Sequence, residues 1–211
     1  MREAVIVEMV RTPVGRRNGH LKNTRPDDLA ALVIEELVKR SKIDSQLIED
    51  VILGCVSQVG EQAGDIARVA SLIAGLPIEV PGVTIDRQCG SSQQAVHFAA
   101  QAIISGDMDV VIAGGVESMS RVPMGSNFLD AELSQKLTSS YEIIHQGLSA
   151  ERIAQKYYLT REDLDVFSYN SHQKAFRALQ AGVFNEHVIS CEVENDEGEK
   201  VNFSVDSGPR A

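Results

Sequence analysis

The chain has 211 residues, enough for one large domain or two small ones. An apolar share of 43% with 24% charged residues is ordinary for a globular protein in water, and no apolar run approaches membrane-spanning length. The net charge of −10 argues against nucleic acid as the natural partner and means that any polyanionic ligand must find local basic residues.

Ala4 to Met9 is apolar and β-branched and predicts a buried first strand. Arg11 to Gly19 follows as a basic, glycine-containing loop that fits no phosphate-binding fingerprint, so it reads as a solvated loop. Pro26-Asp27-Asp28 opens a helix to about Arg40, with proline where its missing N–H costs nothing and acids at the positive end of the dipole. Leu29, Leu32, Val33 and Leu37 form its apolar stripe, edged by Glu36 and Arg40. After a connector, Asp50 to Val56 predicts a second buried strand, and Cys55 within it reads as core packing. Gly60 to Gly64 is a loop, Asp65 caps a helix through about Ala74, and Gly75 with Pro77 ends it. Arg68 on that helix could be a surface charge or face a partner; the sequence does not choose.

Val83 to Asp86 predicts a third strand, and Cys89-Gly90-Ser91-Ser92 leads into an apolar helix from Ala95 to Ile104. Cys89 therefore falls at or beside a helix N-terminus, where unpaired N–H groups and the dipole favour a thiolate and can hold an oxyanion. That makes it a candidate nucleophile, against the plainer reading of a small buried hydrophobe. The helix is apolar on most faces and so is expected between two layers at the centre of the molecule, with His97 as a core histidine. Asp109 to Gly115 predicts a further strand ending in a glycine turn. Strands alternating with helices imply a parallel or mixed α/β sheet, with Cys89 and Gly114-Gly115 along the same carboxyl edge.

Beyond Glu117 the texture changes. Met119 to Ser140 has no clear period; helices are expected from Ser149 and from the capping-box-like Thr160 to about Ala181, then a hairpin of Val188–Val193 and Lys200–Val205 around Asp196-Glu197-Gly198. His145, read on its own, is an exposed loop histidine with no partner in view. The three widely spaced cysteines, Cys55, Cys89 and Cys191, argue against a disulfide framework and a zinc site and fit a reducing cytoplasm; the start carries no signal-peptide pattern.

Asp86-Arg87-Gln88-Cys89-Gly90-Ser91-Ser92, Ala113-Gly114-Gly115-Val116-Glu117-Ser118-Met119-Ser120 and Gln146-Gly147-Leu148-Ser149-Ala150-Glu151, in that order and separation, resemble the thiolase family, as does the opening Arg11-Thr12-Pro13-Val14-Gly15. The resemblance runs along essentially the whole chain and is nearer the degradative 3-ketoacyl-CoA thiolases than the biosynthetic ones. It implies a layered α/β fold: a mixed sheet with a buried central helix over 1–117, lacking its last strand, plus an inserted, mainly helical loop domain over 118–211 that covers the CoA site. It also implies an acyl-CoA acyltransferase that takes the acyl group on Cys89 as a thioester, cleaving 3-ketoacyl-CoA with CoA or joining two acetyl-CoA units. CoA is substrate, with no metal and no bound cofactor, and His145, Gly147 and Ser149 lie on the substrate side near the pantetheine arm. A homo-oligomer, dimer or tetramer, is implied, associating through the strand Val83 to Asp86. A thiolase further needs a base histidine, a second cysteine and an asparagine loop; the segments that carry them do not occur here, so a C-terminal half is expected to be missing and turnover of this chain impaired. The rival readings are a β-ketoacyl synthase-like condensing enzyme acting on a carrier protein, and a non-catalytic assembly partner.

Overall fold

The computed structural model describes residues 2–210; Met1 and Ala211 lie outside it. The described residues form two compact units: 2–127 with 185–208, and 128–184 with 209–210.

The first unit is built on three parallel strands, β1 (Asp50–Gly54), β2 (Gly82–Ile85) and β3 (Val111–Gly115), in the order β2-β1-β3. Val51 pairs with Gly82 on one side and Ile112 on the other, so the sheet is parallel throughout rather than mixed. Alternation along β1 decides what each face carries. Val51 and Leu53 point into a cluster with Ala30, Ala31, Ile34, Ala67 and Ala70, from helices α1 (Pro26–Ser41) and α2 (Ile66–Ile73). Ile52 points the other way, against Ala95 and Ala99 of helix α3 (Ser91–Ser105). The α1 stripe that reaches the sheet is thus Ala30, Ala31 and Ile34, while Leu29, Leu32 and Val33 turn to the hairpin described next.

Strands β4 (Cys191–Glu194) and β5 (Lys200–Phe203) form an antiparallel hairpin whose Ile189, Cys191, Val193 and Phe203 pack on Leu29. The hairpin therefore belongs with the sheet, on the far side of the boundary expected at residue 117. Arg11 is tied to it by backbone bonds to His187 and Ile189 and by a bidentate pair with Asp206 at 2.6 and 2.8 Å. Asp206 is held below the usual carboxylate range, chiefly by that guanidinium. The Arg11–Gly19 loop is thus anchored rather than freely solvated.

Two expectations fail here. Residues 4–9 form no strand, and Val5 and Ile6 are 72% and 77% exposed. Their β-branched pattern is strand-like, but among the described residues no neighbour offers them a hydrogen-bonding ladder, without which an extended segment does not hold. Helix α3, expected to be buried all round, is covered on its sheet side only: Val96, Phe98, Ile104 and His97 are exposed. Its apolar outer face has no counterpart among the described residues.

The second unit carries α4 (Gln135–Ser140), inside the stretch expected to be irregular, then α5 (Gln146–Lys156) and α6 (Arg161–Gln180). Thr160 and Asp163 close a full capping box at the start of α6, satisfying two otherwise unpaired donors. The apolar positions on α6 are not buried, Phe167 being 77% exposed.

Candidate active site

The carboxyl ends of β1, β2 and β3 meet the start of α3, and Cys89 lies there. Strand β2 ends at Ile85, and the turn Asp86–Gly90 delivers the chain to the helix, with Gly90 as N-cap. The turn is held from within. The Asp86 carboxylate accepts the Gln88 N–H at 2.7 Å, which supports Gln88 in the left-handed region (φ 47°). The Ser91 hydroxyl accepts the Arg87 N–H at 3.0 Å and donates to the Gln88 carbonyl at 2.7 Å. Gly90 and Ser91 give their N–H groups to the carbonyls of Arg87 and Gln88. That leaves the N–H groups of Ser92 and Gln93 without a partner among the described residues, at the positive end of a fifteen-residue helix.

Cys89 is exposed, which removes the buried-hydrophobe reading; Cys55 and Cys191 are both buried. Burial first, then the nearby Glu117 and Asp86 carboxylates, push the Cys55 thiol up to about 12, and burial raises Cys191. Of the three thiols, Cys89 alone is open to a reagent.

Two glycines that sequence reasoning passed over or left undecided set how close the sheet comes to this turn. A Cβ on Gly54, the last residue of β1, would sit 2.7 Å from Ser91 Cβ and nearer still to the Ser91 carbonyl carbon and the Ser92 nitrogen. A Cβ on Gly115, the last residue of β3, would meet the Gly54 carbonyl oxygen at 2.7 Å and overlap the Ser92 hydroxyl. The first turn of α3 therefore rests directly on the backbone of both strand ends. The glycine turn is thus a packing requirement at its second glycine: at Gly114 a Cβ would meet only Leu53, at an ordinary 3.6 Å.

Glu117 and Gln62 were also missed, because nothing local in a Glu or Gln codes for what it touches across the fold. Glu117 accepts the N–H groups of Val56 (2.8 Å) and Ser57 (3.3 Å) and the side-chain amide of Gln62 (2.7 Å). Gln62, fully buried, also donates to the Ser57 carbonyl at 2.9 Å and accepts the Ser118 N–H at 2.7 Å. Two further side chains take roles other than those expected. Asp65 makes no side-chain cap on α2 but accepts the Thr84 hydroxyl at 2.6 Å. Arg68 donates to the carbonyls of Ile78 and Val80, tying down the approach to β2.

The other candidates lie in the second unit. His145, rather than Ser149, starts helix α5: its Nδ1 accepts the Gly147 N–H at 3.1 Å and its carbonyl accepts the Ser149 N–H at 3.2 Å. The ring thus has a partner, and this bond assigns the remaining imidazole proton to Nε2. His145 and Gly147 are exposed and Ser149 is half-buried, the three grouped at one helix start. Cys89 belongs to the first unit.

The chain matches a family model described as thiolase, N-terminal domain, over residues 4–211. It is 45% identical over 221 residues to the steroid 3-ketoacyl-CoA thiolase FadA6 of Mycobacterium tuberculosis, covering 100% of this chain and 53% of the relative. It is 40% identical to the 3-ketoacyl-CoA thiolase of Idiomarina loihiensis, covering 98% of this chain and 54% of that protein. Among solved structures, the acetyl-CoA acetyltransferase of Bacillus anthracis superposes with a TM-score of 0.86 at 36% identity, over 100% of this chain and 56% of that one. The chain spans about half the length of the curated relatives it matches.

Proposed function

We propose that this chain, which belongs to the thiolase family, carries the cysteine on which an acyl-CoA acyltransferase builds its acyl-enzyme, and that this cysteine is Cys89. The observation that carries the reading is that the one exposed thiol lies in the turn just before α3, whose Ser92 and Gln93 N–H groups have no partner among the described residues. In the proposed step the Cys89 sulfur adds to the thioester carbonyl of an acyl-CoA. Negative charge collects on the carbonyl oxygen, where helix-start N–H groups stabilise it, and the carbon–sulfur bond to CoA then breaks. CoA leaves as thiolate and takes up a proton. When two units are joined, the acyl group passes to the carbanion of a second acetyl-CoA. When 3-ketoacyl-CoA is cleaved, the Cys89 sulfur adds instead to the C3 ketone carbon and the C2–C3 bond breaks. Acetyl-CoA leaves as its carbanion and takes up a proton, and the acyl group left on sulfur passes to a CoA thiol.

On this reading CoA is substrate and no bound cofactor is required. His145, Gly147 and Ser149 are proposed to contact the pantetheine arm, with the helical unit as the segment that covers CoA. A reducing, cytoplasmic setting is proposed from the three free thiols. No helix among the described residues is long and apolar enough to cross a membrane.

The test is an intact mass after incubation with acetyl-CoA. One acetyl group is expected on the chain and none on Cys89→Ala. An unmodified wild-type chain overturns the reading and favours an assembly partner. Steady turnover by these residues alone is expected to fall at least roughly a hundredfold below that of an enzyme with its general base in place.

Self-association through β2 is proposed as well. β2 is an edge strand of the sheet, and its Val83 is 40% exposed. An unpaired strand edge of this kind accepts a second copy. Sedimentation is expected to give a dimer or larger; a folded monomer at micromolar concentration counts against it.

A further inference from the structure

We propose that Glu117 is a positioning residue for Cys89, acting through the exits of β1 and β3 without touching the thiol. Cys89 sits in a turn whose placement depends on how the three strand ends are held together. Backbone bonds make the first ties: Cys55 N–H to the Ile85 carbonyl joins β1 to β2, and Val116 N–H to the Gly54 carbonyl joins β3 to β1, both at 3.0 Å. One residue further on, the chain leaves the sheet on both strands and regular pairing stops. Glu117 continues the tie where the ladder cannot. Its two carboxylate oxygens take up Val56 N–H, Ser57 N–H and the Gln62 amide, so the loop leaving β1 is clamped to the loop leaving β3.

The clamp has a second jaw. Gln62 belongs to the short turn Gly60–Gln62, and its amide oxygen holds Ser118 N–H. The neighbouring Glu61 pairs with Arg121, at 2.5 Å to one guanidinium nitrogen, and with Arg25 at 3.3 Å. The segment 117–121 is thus fixed to one turn at both of its ends. Gly115, two residues before Glu117, is the residue whose backbone supports Ser92 of α3. Letting the exit of β3 drift would move that support, and with it the turn that presents Cys89.

Glu117 forms no ion pair among the described residues; its partners here are N–H donors. That makes glutamine, identical in shape, an incisive substitution. Whichever way the new amide turns, its NH₂ faces a donor: Val56 N–H on one side, or Ser57 N–H and the Gln62 amide on the other.

The proposal rests on the thioester role proposed for Cys89, but its test uses no CoA chemistry. Failure of acetylation would sink that role; the outcomes below sink or support the positioning. In Glu117→Gln the backbone amide resonances of Ser92 and Gln93 are expected to move, and alkylation of Cys89 by iodoacetamide to slow by roughly tenfold, less than deleting an oxyanion donor outright. Ile34→Val, a core change on the opposite face of the sheet, is the control for lost stability and is expected to leave both readouts unchanged. Wild-type resonances at Ser92 and Gln93 with an unchanged or faster alkylation overturn the proposal. Should Glu117→Gln fail to fold, Gln62→Met removes one jaw at similar volume and carries the same two readouts. On the wild-type chain, hydrogen exchange of Val56, Ser57 and Ser118 at open-loop rates overturns it independently.

Discussion

Gly54→Ala is expected to displace or unfold the start of α3, at a cost of about 3 kcal/mol or more, the upper end of what overpacking a core imposes. The added methyl group would meet backbone, the Ser91 carbonyl carbon and the Ser92 nitrogen, at separations real Cβ atoms essentially never show. A side chain could rotate away; the first turn of a helix whose Ala95 and Ala99 are locked on Ile52 cannot. With about 2–4 °C lost per kcal/mol in a chain of this size, the melting temperature should fall by roughly 10 °C. Gly114→Ala is the internal control. It stands one residue before Gly115 in the same strand, yet its methyl would find only Leu53 at an ordinary distance, and it should change stability by no more than about 0.5 kcal/mol. Equal losses for the two variants, measured by urea denaturation, would mean that the close approach of β1 to α3 is not as described.

Alkaline pH is expected to destabilise the fold through Cys55. Burial and the adjacent carboxylates move this thiol from an ordinary 9.0 up to about 12 in the folded chain. The unfolded chain gives up that proton first. Above about pH 9 the unfolded state therefore binds fewer protons than the folded one, and stability falls as pH rises. The contribution is complete below pH 9, declines by about 1.4 kcal/mol per unit above it, and is exhausted near pH 12 after a total of about 4 kcal/mol, an upper limit for a single group. Cys55→Ala should be less stable at neutral pH for want of the sulfur's packing, yet lose less on going to about pH 10, by roughly 1.4 kcal/mol relative to wild type. Parallel pH profiles for the two proteins would show that Cys55 does not hold its proton in the fold. Cys191, raised by burial, adds to the same slope in both proteins and cancels in the comparison.

Both outcomes rest on packing between distant segments; sequence reasoning works where the cause is local. The strand at Asp50–Gly54, the helix from Pro26, the capping box at Thr160 and the hairpin closing at Asn195–Glu199 are local matters of period, cap and turn chemistry, and they formed within a few residues of expectation. So did the strand–turn–helix that presents Cys89. Where pattern misled, a non-local partner was decisive. Ala4 to Met9 has the composition of a strand but, among the described residues, no ladder to join. Helix α3 has the composition of a fully enclosed helix, but one face lacks cover among the described residues. His145 looked partnerless because a capping bond from its own ring to Gly147 is invisible in the letters.

From Pro26 to Gly115 the amino-acid order by itself determined the alternation of helices and strands and the position of Cys89 just before a helix start, and its motifs carried the resemblance to the family. The elements depend on neighbours a few residues apart, and spacing alone reports them. The tertiary structure decided that Cys55 and Cys191 are sealed while Cys89 is open, that Gly54 and Gly115 but not Gly114 must lack a side chain, and that Glu117 joins two strand exits through Gln62. Each of those depends on groups distant in the sequence being brought within a few ångströms, and only the folded packing sets which groups those are.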